Sequence, residues 1–216
     1  MNKKKRRLLL VGAGAMGREL ASWIRFDVPE WADFEFGGFL GDNPHGLDDF
    51  PAYCPGIVSA IADFKPNPGD ALVMAIADPT IKLAVAQKLD DQGAEFLSFV
   101  HPSVLIADHV LIGRGVVICP NAVVSCHAVI GDFVSINLSC TVGHDVRIGR
   151  GCTLSAHVDL TGFASLEEGV FLGSHASVLP RAKIGAFAKV GAGSVVLRSV
   201  KGRATVMGVP AKQILP

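Results

Sequence analysis

Residues 130–149 read Ile130-Gly131-Asp132-Phe133-Val134-Ser135-Ile136-Asn137-Leu138-Ser139-Cys140-Thr141-Val142-Gly143-His144-Asp145-Val146-Arg147-Ile148-Gly149. An aliphatic residue returns every sixth position, and the series runs in both directions without insertion: Ile106, Ile112, Ile118 and Val124 before it, then Leu154, Leu160, Leu166, Leu172, Val178, Ile184, Val190 and Val196. All sixteen are Ile, Leu or Val. The position two earlier holds only Val, Ala, Cys or Ser, and the position directly after the aliphatic is Gly in seven hexads. A period of six is neither the 3.6 of an amphipathic helix nor the plain alternation of a meander. It predicts a coil of short strands in which each hexad makes one flat side and one corner. The aliphatic points inward, the small residue packs beside it, and Gly relieves the backbone at the turn. Such a solenoid has coils that touch only their neighbours.

Before residue 101 the pattern is different. Leu8 to Val11 reads as a buried strand, and Gly12-Ala13-Gly14-Ala15-Met16-Gly17 leads into a helix running to about Phe26. Phe34 to Leu40 is a second strand, Ala71 to Ile76 a third and Glu95 to Val100 a fourth. Pro79 to Gln92 is an amphipathic helix closed by Gly93. Strands alternating with helices predict a small parallel α/β sheet in residues 1–101, followed by the coil in residues 102–199 and a tail in residues 200–216.

Composition narrows the function. Twenty Lys and Arg balance twenty Asp and Glu, so nothing marks a nucleic-acid surface. The mean hydropathy is +0.41, yet no run approaches the roughly 18 apolar residues of a spanning helix, so no membrane insertion is expected. The start, Lys3-Lys4-Lys5-Arg6-Arg7 followed by Leu8 to Met16, has the layout of a signal peptide, but its apolar part is Gly-rich and is closed at once by Arg18-Glu19. Five cysteines (54, 119, 126, 140, 152), odd in number and matching no metal spacing, read as reduced thiols in a cytoplasmic protein.

If three hexads close one coil of eighteen residues, residues eighteen apart stack about 4.8 Å apart. His109, His127 and Asp145 form one ladder, and His157 with His175 another. Polar corner residues recur because corners face solvent, and no metal is expected at either ladder. His144 is followed at once by a carboxylate, Asp145; an imidazole accepts a proton near neutral pH, and a carboxylate beside it orients the ring. Cys126 stacks one coil before His144 but has no further basic partner, so all five cysteines read as small hydrophobes.

The hexads from Pro102 onward resemble the left-handed parallel β-helix of the hexapeptide-repeat acyltransferases. The zinc chemistry known on that fold needs a histidine five residues after the first, and here the position counted from His144 is Gly149. The whole chain, a small α/β domain followed by the coil, resembles the NeuD/PglD-type sugar acetyltransferases, which acetylate nucleotide-linked amino sugars or sialic acids. That resemblance implies acetyl-CoA as co-substrate, a nucleotide sugar as acceptor, and a homotrimer with its active site between subunits. It also implies His144 as general base with Asp145 its partner, and Asn137, Gly162, Ser174 and Ala192 at the cofactor. Gly208-Val209-Pro210-Ala211-Lys212 matches a tail that closes over coenzyme A, with Pro210 and Lys212 contacting it. Where relatives carry a second cofactor-contacting histidine, this chain has Thr153.

The glycine loop also fits a dinucleotide fingerprint, but the acid expected about 20 residues on appears only at Asp42, twenty-five after Gly17. The half-sized sheet suits a mononucleotide. The resemblance places the nucleotide sugar there, on Gly14, Ala15, Met16, Gly41, Asp42 and Ala77, although the family's Ser/Gly-Gly-His triplet reads Gly14-Ala15-Met16 and its paired acids read Gly41-Asp42. Three functions follow: acetyl transfer to the amino group of a nucleotide sugar, or to a hydroxyl as in sialic acid O-acetylation; an NAD-linked oxidoreductase, resting on the glycine loop alone; and a non-catalytic β-helix scaffold.

Overall fold

A computed structural model of the chain describes residues 5–26, 31 and 33–215. The basic stretch at the start therefore begins outside the described residues. The chain divides into two units, residues 1–77 with 84–97, and residues 78–83 with 98–216.

In the first unit, strands β1 (Arg6–Val11), β2 (Phe34–Leu40), β3 (Ile57–Ser59) and β4 (Asp70–Met74) form a parallel sheet in the order β3-β2-β1-β4. Helix α1 (Ala15–Phe26) follows β1. The sheet is buried on both central and edge strands: Leu8, Leu9, Leu10 and Val11 on β1 and Ala71, Leu72 and Val73 on β4 are fully covered. The strand read over Glu95 to Val100 is not one strand. Phe96 makes an isolated bridge with Leu72, whereas Phe99 and Val100 pair with Val117 and Ile118 in the second unit. The break falls at Ser98, whose hydroxyl donates to the Gly113 carbonyl and accepts from the Val116 N–H, so the first coil captures the chain there.

The second unit is the predicted coil, a left-handed parallel β-helix. Its two-residue strands stack in three parallel sheets with a constant step of eighteen residues, as in Val129↔Arg147, Ser135↔Thr153 and Thr141↔Asp159. The inward aliphatics and their small neighbours fill one continuous core, with Ile118, Ile136, Leu154, Leu160, Leu172 and Val178 fully buried. The first two, Ile106 and Ile112, are 42% and 36% exposed, because no coil precedes theirs within the unit. After the last coil, Thr205–Met207 and Lys212–Leu215 pair antiparallel at the end of one sheet, with a cis peptide at Val209-Pro210 between them.

The corner glycines do a different job from the one expected. The left-handed backbone sits three residues after each inward aliphatic, not one. It recurs without a gap from His109 (φ 61°) to Gly193 (φ 67°), and eleven of these fifteen residues are not glycine. None of the eleven is β-branched, the class that tolerates this conformation least. The glycines directly after the aliphatic serve close coil-to-coil approach instead: a Cβ on Gly143 would lie 2.8 Å from the Leu160 carbonyl oxygen of the next coil.

Helix α2 (Pro79–Asp91) is capped by Asp78, whose carboxylate accepts from the N–H groups of Thr80 and Ile81. Its Lys82 is fully buried and donates to Ser135 Oγ at 2.9 Å, Thr153 Oγ1 at 2.8 Å and the Cys152 carbonyl at 3.2 Å. Burial pushes this ammonium down to about 7, against the raising influence of Cys152 and Asp78. Leu83 lies where a side chain on Gly151 would otherwise project.

Candidate active site

The second unit places His144 and Asp145 at one corner of the coil. The left-handed turn at Asp145 (φ 60°) breaks the alternation of a strand, so adjacent side chains meet: His144 Nδ1 and Asp145 Oδ2 are 2.8 Å apart. Both side chains are partly open to solvent, 54% and 39% exposed. With Nδ1–H donating to the carboxylate, Nε2 is left with its lone pair, and no group among the described residues bonds it.

One coil further on, Gly162 supports the ring. A Cβ there would stand 2.5 Å from His144 Nε2 and 2.6 Å from Cε1, so the imidazole rests where only glycine leaves room. The Gly162 N–H has no acceptor among the described residues, whereas its neighbour Phe163 donates to the His144 carbonyl at 3.1 Å. The site therefore has a proton acceptor and an unpaired N–H side by side, the two parts acyl transfer needs.

The other predicted residues are not all at this corner. Asn137, Ser174 and Ala192 share the preceding corner, where Ser174 and Ala192 stack one coil apart and the Gly193 N–H donates to the Ser174 carbonyl. Thr153 faces neither corner: it lies on a flat side, 5% exposed, bonded by Lys82. Pro210 lines a cavity of about 490 Å³ with Arg198, Ser199, Lys201 and Ala211, and Lys212 is exposed nearby in the chain. The cations Arg198 and Lys201 and the apolar Val196, Leu197 and Pro210 suit a phosphorylated cofactor.

The stacking register also holds for the other ladders. The rings of His109 and His127 are 5.0 Å apart, and those of His157 and His175 4.7 Å. Asp145 turns to His144 instead of joining the first pair, and no group of three or more His, Cys, Asp or Glu among the described residues is arranged to hold a metal. Cys140 and Cys152 are buried, and burial pushes their thiols up to about 11 and about 12. Thiols so held are protonated and unreactive.

The first unit carries a second candidate site. Gly12, Gly14, Gly41, Asp42 and Arg18 line a cleft of about 370 Å³. Gly12 adopts φ 117°, and a Cβ on Gly17 would run into the Gly12 carbonyl oxygen, so both glycines are needed to bring α1 against β1. The N-terminus of α1 favours an anion. Asp42 is committed elsewhere, accepting from the Ile61 N–H at 2.8 Å and so fixing the next turn. Ala15, Met16 and Ala77 are not among the lining residues. Arg18, which stacks on Phe50 at 3.9 Å, is the cation that sequence reasoning missed, because an arginine one turn into a helix has no distinguishing pattern.

No protein-family model matches the chain. GDP-perosamine N-acetyltransferase of Escherichia coli O157:H7 is 33% identical over 105 residues, covering 49% of this chain and 48% of that protein. The serine acetyltransferase of Buchnera aphidicola is 46% identical over 48 residues. The chain spans about half the length, or less, of the curated relatives it matches. Among solved structures, PerB from Caulobacter crescentus, in complex with CoA and GDP-perosamine, superposes with a TM-score of 0.81 at 27% identity, covering 95% of this chain and 96% of that one. WeeI from Acinetobacter baumannii superposes with a TM-score of 0.85, also at 27% identity, covering 96% and 99%. This chain has the fold of sugar N-acetyltransferases. Relatives by sequence are named acetyltransferases, and neighbours by structure hold CoA or acetyl-CoA. Among the described residues no helix is long and apolar enough to cross a membrane.

Proposed function

We propose that the protein is an acetyl-CoA-dependent N-acetyltransferase whose acceptor is the amino group of a nucleotide-linked sugar. The observation that carries this reading is the His144–Asp145 pair seated on Gly162, on a fold shared with PerB. Acetyl-CoA supplies the acetyl group as a thioester. His144 Nε2 takes the proton from the acceptor nitrogen as that nitrogen attacks the thioester carbon, Asp145 stabilises the imidazolium through Nδ1–H, and collapse of the tetrahedral adduct breaks the C–S bond, the imidazolium returning its proton to the departing CoA sulfur. The Gly162 N–H offers a hydrogen bond to the developing oxyanion. Cys126 is not used, and no covalent intermediate on the protein is needed.

Asn137, Ser174, Ala192, Pro210 and Lys212 remain the residues proposed for the cofactor, with Arg198 and Lys201 supplying positive charge for its phosphates. Thr153, covered by Lys82, supports its coil. The glycine-loop cleft, with Arg18 and the N-terminus of α1, has the features an anionic nucleotide needs. Because one chain separates Asn137 and Ala192 from His144 at two corners, the reading includes a homotrimer whose site forms between copies, in the cytoplasm.

The test is acetyl transfer from acetyl-CoA to GDP-perosamine, followed by a panel of UDP-, dTDP- and CMP-linked amino sugars. His144→Ala is expected to lose about 10²- to 10⁴-fold in kcat, the range of a general base. A wild-type rate in that variant would remove His144 from the mechanism.

A further inference from the structure

We propose that Phe163 is a positioning residue for His144, held in place by Arg181; this rests on His144 being the base. One hydrogen bond to Asp145 fixes Nδ1 but does not fix the plane of a ring that is 54% exposed. Phe163 supplies the second restraint: its ring stands edge-to-face against the imidazole, with centroids 5.2 Å apart and planes at 89°. The Phe163 N–H donates to the His144 carbonyl, which sets the two residues in register across adjacent coils. The Arg181 guanidinium lies 4.6 Å from the Phe163 ring centroid, and the Arg181 N–H donates to the Gly162 carbonyl. Arg181 and Asp145 are the charged groups at this aromatic pair.

Two similar phenylalanines show why Phe163 stands apart. Phe133 and Phe187 also occupy left-handed corner positions, but each ring fills the space above a glycine one coil earlier, Gly115 and Gly169. That is packing. In the column of Phe163 the residue one coil earlier is Asp145, so no glycine leaves a gap for the ring to fill. Phe163 is 45% exposed, in a backbone conformation that disfavours bulky side chains, and its ring meets the imidazole on one hand and the Arg181 guanidinium on the other. An aromatic kept there gains little by burial and restrains the base.

The experiment compares wild type, Phe163→Leu, Phe163→Tyr, Arg181→Gln and His144→Gln in the full chain. Steady-state kinetics with acetyl-CoA and GDP-perosamine are read beside ¹⁵N spectra of the imidazoles, with His144 assigned by its loss in His144→Gln. Phe163→Leu should lower kcat about tenfold while both KM values stay within about twofold, the signature of lost orientation. Its His144 nitrogen shifts should move from a single Nδ1–H tautomer toward the averaged value, and Phe163→Tyr should restore both. Arg181→Gln, which leaves the coil intact, should move the shifts the same way by less, and covers the case in which Phe163→Leu does not fold. Unchanged nitrogen shifts in both Phe163→Leu and Arg181→Gln, or an unchanged kcat in a folded Phe163→Leu, would overturn the proposal. If His144→Gln turns over at the wild-type rate, the base reading falls by itself, because the nitrogen shifts still report whether Phe163 orients the ring.

Discussion

Gly162 carries more of the site than its size suggests. The space its missing side chain leaves is taken by the imidazole, so Gly162→Ala forces a Cβ to within 2.5 Å of Nε2 and the ring must swing away. Its φ lies in ordinary space, so alanine introduces no backbone strain. The variant should therefore fold with an unchanged melting temperature yet lose at least about tenfold in kcat, a loss of orientation alone. A wild-type rate for Gly162→Ala would show that the ring is not seated there during turnover. The sequence marked Gly162 only through a resemblance, as a cofactor residue. That it supports the base follows from the eighteen-residue register, which brings it beneath His144. Phe163 and Arg181 carried no signal, since a half-exposed aromatic and a surface arginine look ordinary until the coil stacks them.

At the scale of the element, the first turn of α2 decides how one side of the coil is finished. Amphipathic periodicity assigns a lysine to a solvent face, and Lys82 instead sits under Ser135 and Thr153, because hydroxyls and a carbonyl there satisfy its three protons. The ordinary value of 10.5 for this ammonium applies when the chain unfolds, and about 7 when it folds. Between those values the unfolded chain binds more protons, so stability rises with pH from about 7 upward, and the penalty is present in full below 7. Cys140 and Cys152 act oppositely: their thiols stay protonated in the fold but ionise near 9 when unfolded, so stability falls above about 9. Lys82→Met should flatten the rise in urea-unfolding stability between pH 7 and 9, and leave the decline above 9 in place. An unaltered slope between pH 7 and 9 would mean the amine is solvated in the native state. The hexads, by contrast, were fully legible, since a strict inward aliphatic is what the core itself requires. The strand read across Glu95 to Val100 failed because apolar pairs flank Ser98 on both sides, Phe96-Leu97 and Phe99-Val100, while its hydroxyl bonds already belong to the coil.

On the scale of the whole molecule, the separation of His144 from Asn137, Ser174 and Ala192 leads to a test by mixing. If a site needs one corner from each of two copies, His144→Ala and Ala192→Trp chains damage different halves. Unfolded and refolded together, the two inactive variants should regain a fraction of wild-type activity, since some mixed pairs carry both intact corners. No recovery, with mixed assemblies confirmed by mass, would place the complete site within one chain.

The unbroken run of left-handed corners has a wider meaning. Because the coil itself dictates that conformation, the position does not have to be glycine, and the side chain there is set free from backbone duty. One column of such positions reads His109, His127, Asp145, Phe163 and Arg181: two imidazoles, an acid, an aromatic and a cation on one edge at a fixed step. The fold thus behaves as a pegboard. New chemistry can be installed at any peg without redesigning the frame, and the spacing between functional groups is inherited from the repeat.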